Sequence, residues 1–487
     1  LNPSRLWVRW LFLRVLALIY LIAFVSLWGQ VHGLIGTDGI LPFDAYLEGV
    51  EARVDSPFLR LPTLLWWWAE DAGLTAMCGA GVLSSALLLW GVAPRLMLSL
   101  NWVLYLSLVS VGQVFLGYQW DGLLLETGLL AVFFAPGNWR PGLGRSEPSP
   151  LATWALRFLL FRLMFWSGVV KWFSGDPTWA SFTALEYHYW TQPVAPWTAW
   201  FAAWMPGFVH TASCVAVAFI ELLLPFAVFM GSRGRRFAAI GFIGLMLVIT
   251  VTGFYGFFTL LTAALCLTLL DDADLRALTP SSWRFPTVSR PGCSRVEWWA
   301  VTPLLVACLM VGWYRVAASE GRHPDGPSAY VTRAVAPFRS INRYGLFARM
   351  TTRRPEIEIE GRSEDGEWKA YTFRWKAGPT DRRARWAVGH MPRLDWQMWF
   401  AALGTYENSG WLLHFMVKLY EGEPEVLALL ENDPFAGEKP VVLRAVLYQY
   451  RFASFDHFRS TQAWWVRERV GHYAPLLTPT GWSAPPQ

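Results

Sequence analysis

Charge is what this 487-residue sequence has least of. Asp, Glu, Lys and Arg make up 16% of it, and hydrophobic residues 54%; an ordinary soluble protein carries about 25% charge. So apolar a chain is neither intrinsically disordered nor an ordinary soluble globule. Cysteine is scarce too: Cys78, Cys214, Cys266, Cys293 and Cys308 are the full set, and none follows Cys308. With no CxxC and no Cys/His zinc spacing, neither a disulfide framework nor a metal site is expected, and no cofactor is implied. No Asn-x-Ser/Thr acceptor occurs, which favours a bacterial source or an unglycosylated form. There is no nucleophile elbow and no Ser/His/Asp signature, so no catalytic residue is assigned. The net charge of +5 is too mild to imply nucleic acid as a partner.

Tryptophan, by contrast, is abundant, with 31 residues; two interfacial belts can absorb that many. Residues 1–324 hold 20 Lys/Arg and 18 Asp/Glu, and residues 325–487 hold 21 and 18. Half of the charge thus sits in the last third. The fold expected is a membrane all-α helical bundle over 1–320, then a small soluble α+β domain with an antiparallel sheet over 325–475, then a Pro-containing tail, 476–487. A membrane helix needs about 20 mostly apolar residues. Nine candidate spans lie near 6–28, 72–91, 96–116, 120–135, 151–173, 208–230, 237–252, 255–270 and 297–317, of which the fourth, seventh and eighth are short. The first is too long for a signal peptide and lacks a small-residue cleavage site.

Arginine sets the orientation. With a cytoplasmic N-terminus, the cytoplasmic segments hold Arg5, Arg9, Arg95, Arg140, Arg145, Arg233, Arg235, Arg236, Arg276, Arg284, Arg290 and Arg295, and the opposite loops hold Arg53 and Arg60, with Lys171 at a helix end. This is a positive-inside bias. Nine crossings then put the C-terminal domain outside the cytoplasm. Two long loops, 31–71 and 174–207, share that side and carry many aromatic residues suited to the interface.

Asp121, Glu126, Arg157, Arg162, Lys171, His188 and Glu221 form the expected intramembrane polar cluster, with Arg14 as a further charge. Each is costly in lipid and needs a partner or a wet cavity. Counting ~1.5 Å per residue from the outer helix ends puts Glu126 and Arg162 at roughly 9 and 13 Å depth. The same count puts Glu221 and Arg157 at roughly 20 and 21 Å. The pairs expected are therefore Glu126–Arg162 and Glu221–Arg157, with Arg14 competing for Glu221. Structural ion pairs are the plain reading. A polar site opening outward, using Arg162, Lys171, Glu126, Asp121 and His188, is the sharper one, and as an enzyme's site it requires a cavity lined by Lys171, Arg162, Glu126 and His188.

In the soluble part, Glu356-Ile357-Glu358-Ile359-Glu360 alternates as a half-buried strand does, and Glu364-Asp365-Gly366 supplies a turn, so 355–376 reads as a hairpin. Val441–Tyr450 is a third strand, and helices fall near 394–403, 410–421 and 424–432. Arg393, Asp395, Trp396 and Trp399 are candidate partner anchors, because Arg and Trp dominate interface energetics; the alternative is that this helix packs on the sheet or the membrane body.

Several runs carry a resemblance. In the membrane body they are His32-Gly33-Leu34-Ile35-Gly36, Trp120-Asp121-Gly122-Leu123-Leu124-Leu125-Glu126, Phe161-Arg162 through Gly168 to Lys171, Tyr187-His188-Tyr189-Trp190-Thr191-Gln192-Pro193 and Glu221-Leu222-Leu223-Leu224-Pro225. In the soluble part they are Asn342-Arg343-Tyr344-Gly345-Leu346-Phe347, Arg393-Leu394-Asp395-Trp396, Asn432-Asp433-Pro434-Phe435 and Trp464-Trp465-Val466-Arg467. Collinear along almost the whole chain, they resemble the lipase maturation factor family. The resemblance implies a multi-pass protein, of the ER membrane in eukaryotes or the inner membrane in bacteria. Its extracytoplasmic domain would assist folding and assembly of a secreted client, a lipase in eukaryotic relatives, with membrane lipid as the other partner. The Arg162…Gly168…Lys171 pattern is also similar to carboxylase-like and DoxX-like membrane modules. It implies the alternative of a membrane-embedded enzyme with its site at the outer mouth of the bundle.

Overall fold

The computed structural model describes residues 4–144, 146–277, 279, 295–319, 321–322, 325–387 and 389–483, with side chains left out at 295–297 and 319. Cys293, Arg145, Arg284 and Arg290 lie outside the described residues, as does the side chain of Arg295. The other four cysteines are free thiols.

All nine apolar stretches are helical. Seven are long and apolar enough to cross a membrane: α1 (Leu6–Trp28), α2 (Asp71–Trp90), α3 (Pro94–Val111), α5 (Pro150–Phe173), α7 (Gly207–Phe229), α8 (Ser232–Thr252) and α10 (Trp298–Ala318). Two are shorter, α4 (Gln119–Phe134) and α9 (Phe258–Leu269), so a count of nine full-length spans exceeds what length alone supports. A short helix, α6 (Ala184–Thr191), lies in the loop before α7.

Contacts sort the helix ends into two sets. At one end Ser4 and the Leu6 amide donate to Asp272 (2.8 and 2.9 Å), the Arg5 amide donates to Glu147 (2.9 Å) and Arg9 donates to Leu143 O (2.8 Å). Arg95 donates to Ala135 O (2.9 Å) and Arg235 to Leu269 O (3.2 Å), with Arg236 on Asp274. At the other end the helices meet the C-terminal part: Gln30 after α1 reaches Met391 O (2.7 Å), Gln119 of α4 reaches Gly345 O (3.3 Å), and Ser174 after α5 reaches Ala348 O (2.6 Å). Tyr255, between α8 and α9, has its ring 5.8 Å from that of Trp396. Even the short α4 and α9 run from one end to the other.

The C-terminal part is built on a six-stranded antiparallel sheet: β1 (Arg354–Arg362), β2 (Trp368–Ala370), β3 (Val442–Phe452), β4 (Trp465–His472), β5 (Leu476–Thr478) and β6 (Gly481–Ser483), in the order β2-β1-β3-β5-β6 with β4 also on β3. Glu358 faces Val446 across the β1–β3 register. The hairpin expected over 355–376 forms, but β2 ends at Ala370. Residues 476–483 are no tail: they pair as β5 and β6 around Gly481, whose φ of +106° suits glycine at the turn. The alternation in β1 does not expose its glutamates either; Glu356, Glu358 and Glu360 are all buried. Each has a cation: Arg354 and Lys376 for Glu356 (2.8 and 2.9 Å), Arg467 for Glu358, Arg444 for Glu360 (2.6 Å). Two helices, α11 (Arg393–Ala402) and α12 (Gly410–Glu421), cover the sheet.

One hydrophobic cluster runs without a break from Phe12 in the membrane body through Trp120 and Trp396 to Phe415 and Leu443 in the sheet domain. The two parts approach closely at Gly33, where a Cβ would overlap the carbonyl oxygen of Glu425. Gly33→Ala is expected to cost about 1–3 kcal/mol of thermal stability in detergent. Gly49→Ala, at a position with nothing within 4 Å, is the control and is expected to be neutral or slightly stabilising.

Candidate functional site

The seven polar residues expected in one cluster divide among four places, Arg157 standing apart from the rest at the far end of the body, and two of the other three join the membrane body to the C-terminal domain. In the first, Arg393 at the start of α11 is clamped on Asp121 of α4, with Nη2 to Oδ1 at 2.8 Å and Nη1 to Oδ2 at 3.0 Å. The Tyr105 hydroxyl donates to the same carboxylate, and Nη1 also donates to Phe115 O (2.8 Å). Arg393 is 1% exposed and Asp121 0%. In the second, Glu126, one turn further along α4, accepts from Arg162 Nη1 (2.6 Å), the Asn342 amide (3.0 Å) and the Tyr344 hydroxyl (2.7 Å). Arg162 Nη2 donates to Asn342 O (2.6 Å). The depth count pairs Glu126 with Arg162, and so does the structure.

The third place corrects the other expected pair. Glu221 does not take Arg157; it takes Lys171, whose Nζ donates to Oε2 (2.7 Å), Oε1 (2.9 Å) and Ser167 O (3.2 Å). Depths counted from helix ends assume that the ends are level. They are not, because the start of α7 packs beside α6, His210 against Tyr189 (5.6 Å between rings), above the end of α5. Gly168 lets the two helices close; a Cβ there would stand 2.9 Å from Glu221 Cβ. Residues 219–223 form a π-helical turn inside α7, a feature frequent at functional sites. Arg157 donates to Thr268 O (2.8 Å) at the far end of the body, and Arg14 to Leu88 O (3.3 Å).

Beside the Lys171–Glu221 pair is a cavity of about 390 Å³ lined by α5, α7, α8, His188, Tyr255 and Phe347. Of the four residues that an outward-opening site would gather, Lys171 and His188 line it; Arg162 and Glu126 do not. His188 Nε2 lies 3.0 Å from the Tyr255 hydroxyl, which itself donates to Gln192 Oε1 (3.1 Å). Gln192 Nε2 donates to two carbonyls, which leaves Oε1 as the acceptor. Nε2 of His188 is therefore the protonated nitrogen, and Nδ1 is a buried acceptor without a partner among the described residues. Burial first, and Lys171 second, push the His188 pKa down to about 4, so the imidazole is neutral at pH 7. Phe347 meets His188 edge-on at 4.7 Å with its backbone in the left-handed region, φ +54°.

The four candidate partner anchors are not on the surface. Arg393, Asp395, Trp396 and Trp399 are 1, 3, 3 and 6% exposed. Asp395 holds the amides of Trp375 and Lys376 (2.9 and 2.8 Å), Trp396 packs edge-on against Trp120 (4.8 Å), and Trp399 Nε1 donates to Thr191 O (2.8 Å). The helix is a docking element between the two parts of the chain, because its Arg and Trp side chains meet the acid and the rings of α4. Sequence reasoning missed Tyr105, Asn342 and Tyr344 as members of the charge sites. Asn342 and Tyr344 were visible only as part of the Asn342–Phe347 run.

A helical membrane body capped at one end by an α+β domain, with buried ion pairs across the join, defines a multi-pass membrane protein whose soluble part is a fixed cap. Residues 7–277 match the model of the lipase maturation factor transmembrane domain, and residues 340–475 that of the lipase maturation factor C-terminal domain. The chain is 32% identical to mouse lipase maturation factor 1 over 98% of its own length and 89% of the relative's. It is 33% identical to chicken lipase maturation factor 2, over 96 and 81%, and 31% identical to human lipase maturation factor 1, over 98 and 89%. The chain belongs to the lipase maturation factor family. No solved structure matches it.

Proposed function

We propose that this protein is a membrane-anchored maturation factor for a secreted client protein, a lipase by analogy with the names of its relatives. The likeness along nearly the whole chain carries this reading. The nine helices cross the membrane, the N-terminus is cytoplasmic, and the cap stands on the extracytoplasmic face of a bacterial inner membrane or in the ER lumen. Two observations support that orientation: Arg5, Arg9, Arg95, Arg235 and Arg236 gather at the end away from the cap, and cytoplasmic loops are the ones rich in arginine. With α11 buried, the client surface falls on the sheet edges, β2, β6 and the charged β4, where an unpaired strand of an immature client can add.

The test is secretion of active lipase from cells with and without the gene. The expected result is loss of lipase activity in the deletion strain with lipase synthesis unchanged, and rescue by the intact gene; unchanged activity per lipase molecule would overturn the reading. Orientation is checked separately. Glu468→Cys puts a thiol on β4 in a region free of native cysteine, and a membrane-impermeant maleimide is expected to label it from the extracytoplasmic side.

A further inference from the structure

The cavity beside Lys171 and Glu221 has hydrocarbon walls, one polar end and a mouth on the outside of the bundle. Along α5 its lining runs from Leu163 to Lys171, about 12 Å at 1.5 Å per residue, so it is elongated along the helix axis. Lys171, Glu221 and His188 stand at one end; Leu163, Met164 and Thr262 stand at the other. Ala216 of α7 and Gly244 and Val248 of α8 line the cavity and are also exposed on the outer surface, Val248 by 55%. A wall that belongs to both is open there. The surrounding outer faces of the two helices carry Phe219, Ile240 and Leu247, all exposed, as helices facing lipid do. At Gly244 a Cβ would meet nothing within 4 Å. What enters through this gap comes from the bilayer, and the volume is that of a small-molecule site.

We infer that the cavity binds a single-chain membrane lipid with a small uncharged hydroxyl head, of the monoacylglycerol class, its chain toward Leu163 and its head toward Lys171 and His188. Charge decides the head. Lys171 directs its protons to both oxygens of Glu221 and to Ser167 O, so the polar end is already neutral, and a carboxylate or phosphate would enter with no cation left to meet it. A hydroxyl donor is what this end lacks, because His188 Nδ1 is an unmet acceptor. Phe347, edge-on to the imidazole, is the neighbour that would give way. The inference does not rest on the client reading, and its test contains no client.

The full chain, in phosphatidylcholine nanodiscs, is photolabelled with trace monoacylglycerol carrying a diazirine in its chain, and the labelled residues are mapped by mass spectrometry. Label is expected to concentrate on residues 163–171, 213–221 and 241–249. Gly244→Trp, which fills the mouth, is expected to lower it at least tenfold, and Ile240→Trp, on the lipid face outside the cavity, to leave it unchanged. On the unaltered protein, excess monoacylglycerol is expected to displace the label and oleate not to. Label spread evenly over the lipid-facing helices, or untouched by competing monoacylglycerol, would overturn the site. Displacement by oleate as effective as by monoacylglycerol would overturn the head-group assignment. Ala216→Phe, on the facing helix, repeats the blockade if Gly244→Trp does not fold.

Discussion

Asp121→Leu is expected to lower the stability of the protein by about 3–5 kcal/mol, because it leaves a buried guanidinium with no counter-charge. Arg393 cannot shed its proton to escape, and its other acceptors, the Phe115 carbonyl and the Tyr105 hydroxyl, are neutral. Replacing both partners should act very differently. Asp121→Leu with Arg393→Met exchanges the ion pair for apolar contacts of similar volume, and such exchanges are often neutral or stabilising. The double variant is expected to recover most of the loss. Thermal unfolding in detergent measures the stability, and limited trypsin digestion reports whether the cap has come away from the helices. A single variant within about 1 kcal/mol of the parent would show that the pair does not clamp the two parts together.

Glu126→Gln should cost nearly as much, about 3–5 kcal/mol. The side chain keeps its shape, but Arg162, 8% exposed, loses its only carboxylate within bonding distance among the described residues. Tyr344→Phe removes one of the bonds that Glu126 accepts and leaves the charge pair, so about 1–3 kcal/mol is expected. The contrast between the two is the measurement. Equal losses in thermal unfolding would mean that the charge contributes no more than one hydrogen bond, and that the site is not an ion-pair hub.

These charge sites also show how far sequence alone reaches. The nine apolar runs were legible because hydropathy over about 20 residues is a local property, and the family runs placed both parts of the chain. Glu126 and Arg162 were paired correctly because the start of α4 and the end of α5 both meet the C-terminal part at comparable levels. Glu221 was mispaired because the offset of α7 against α5 depends on what packs above α5, which no count along one helix contains. Arg393, Trp396 and Trp399 pose the same difficulty in another form. Arg and Trp are the residues that anchor interfaces, and they do anchor one, but between two parts of the same chain; nothing in the residues of this stretch distinguishes the two cases. The strands β4, β5 and β6 escaped notice because β4 carries charge at alternate and adjacent positions and the others have three residues each.

The Asp121–Arg393 pair also has a consequence for biogenesis. The two residues are 272 positions apart in sequence, so at about 5–20 residues per second a ribosome needs roughly 14–54 s after making the acid to make this basic partner. Throughout that interval α4, 16 residues long, holds an unneutralised carboxylate in its first turn. Such a helix has little reason to settle in lipid before the rest of the chain arrives. Insertion of α4 should therefore finish late, when the last third of the polypeptide folds down onto it, and a nascent chain stopped before Arg393 should leave this segment accessible to water.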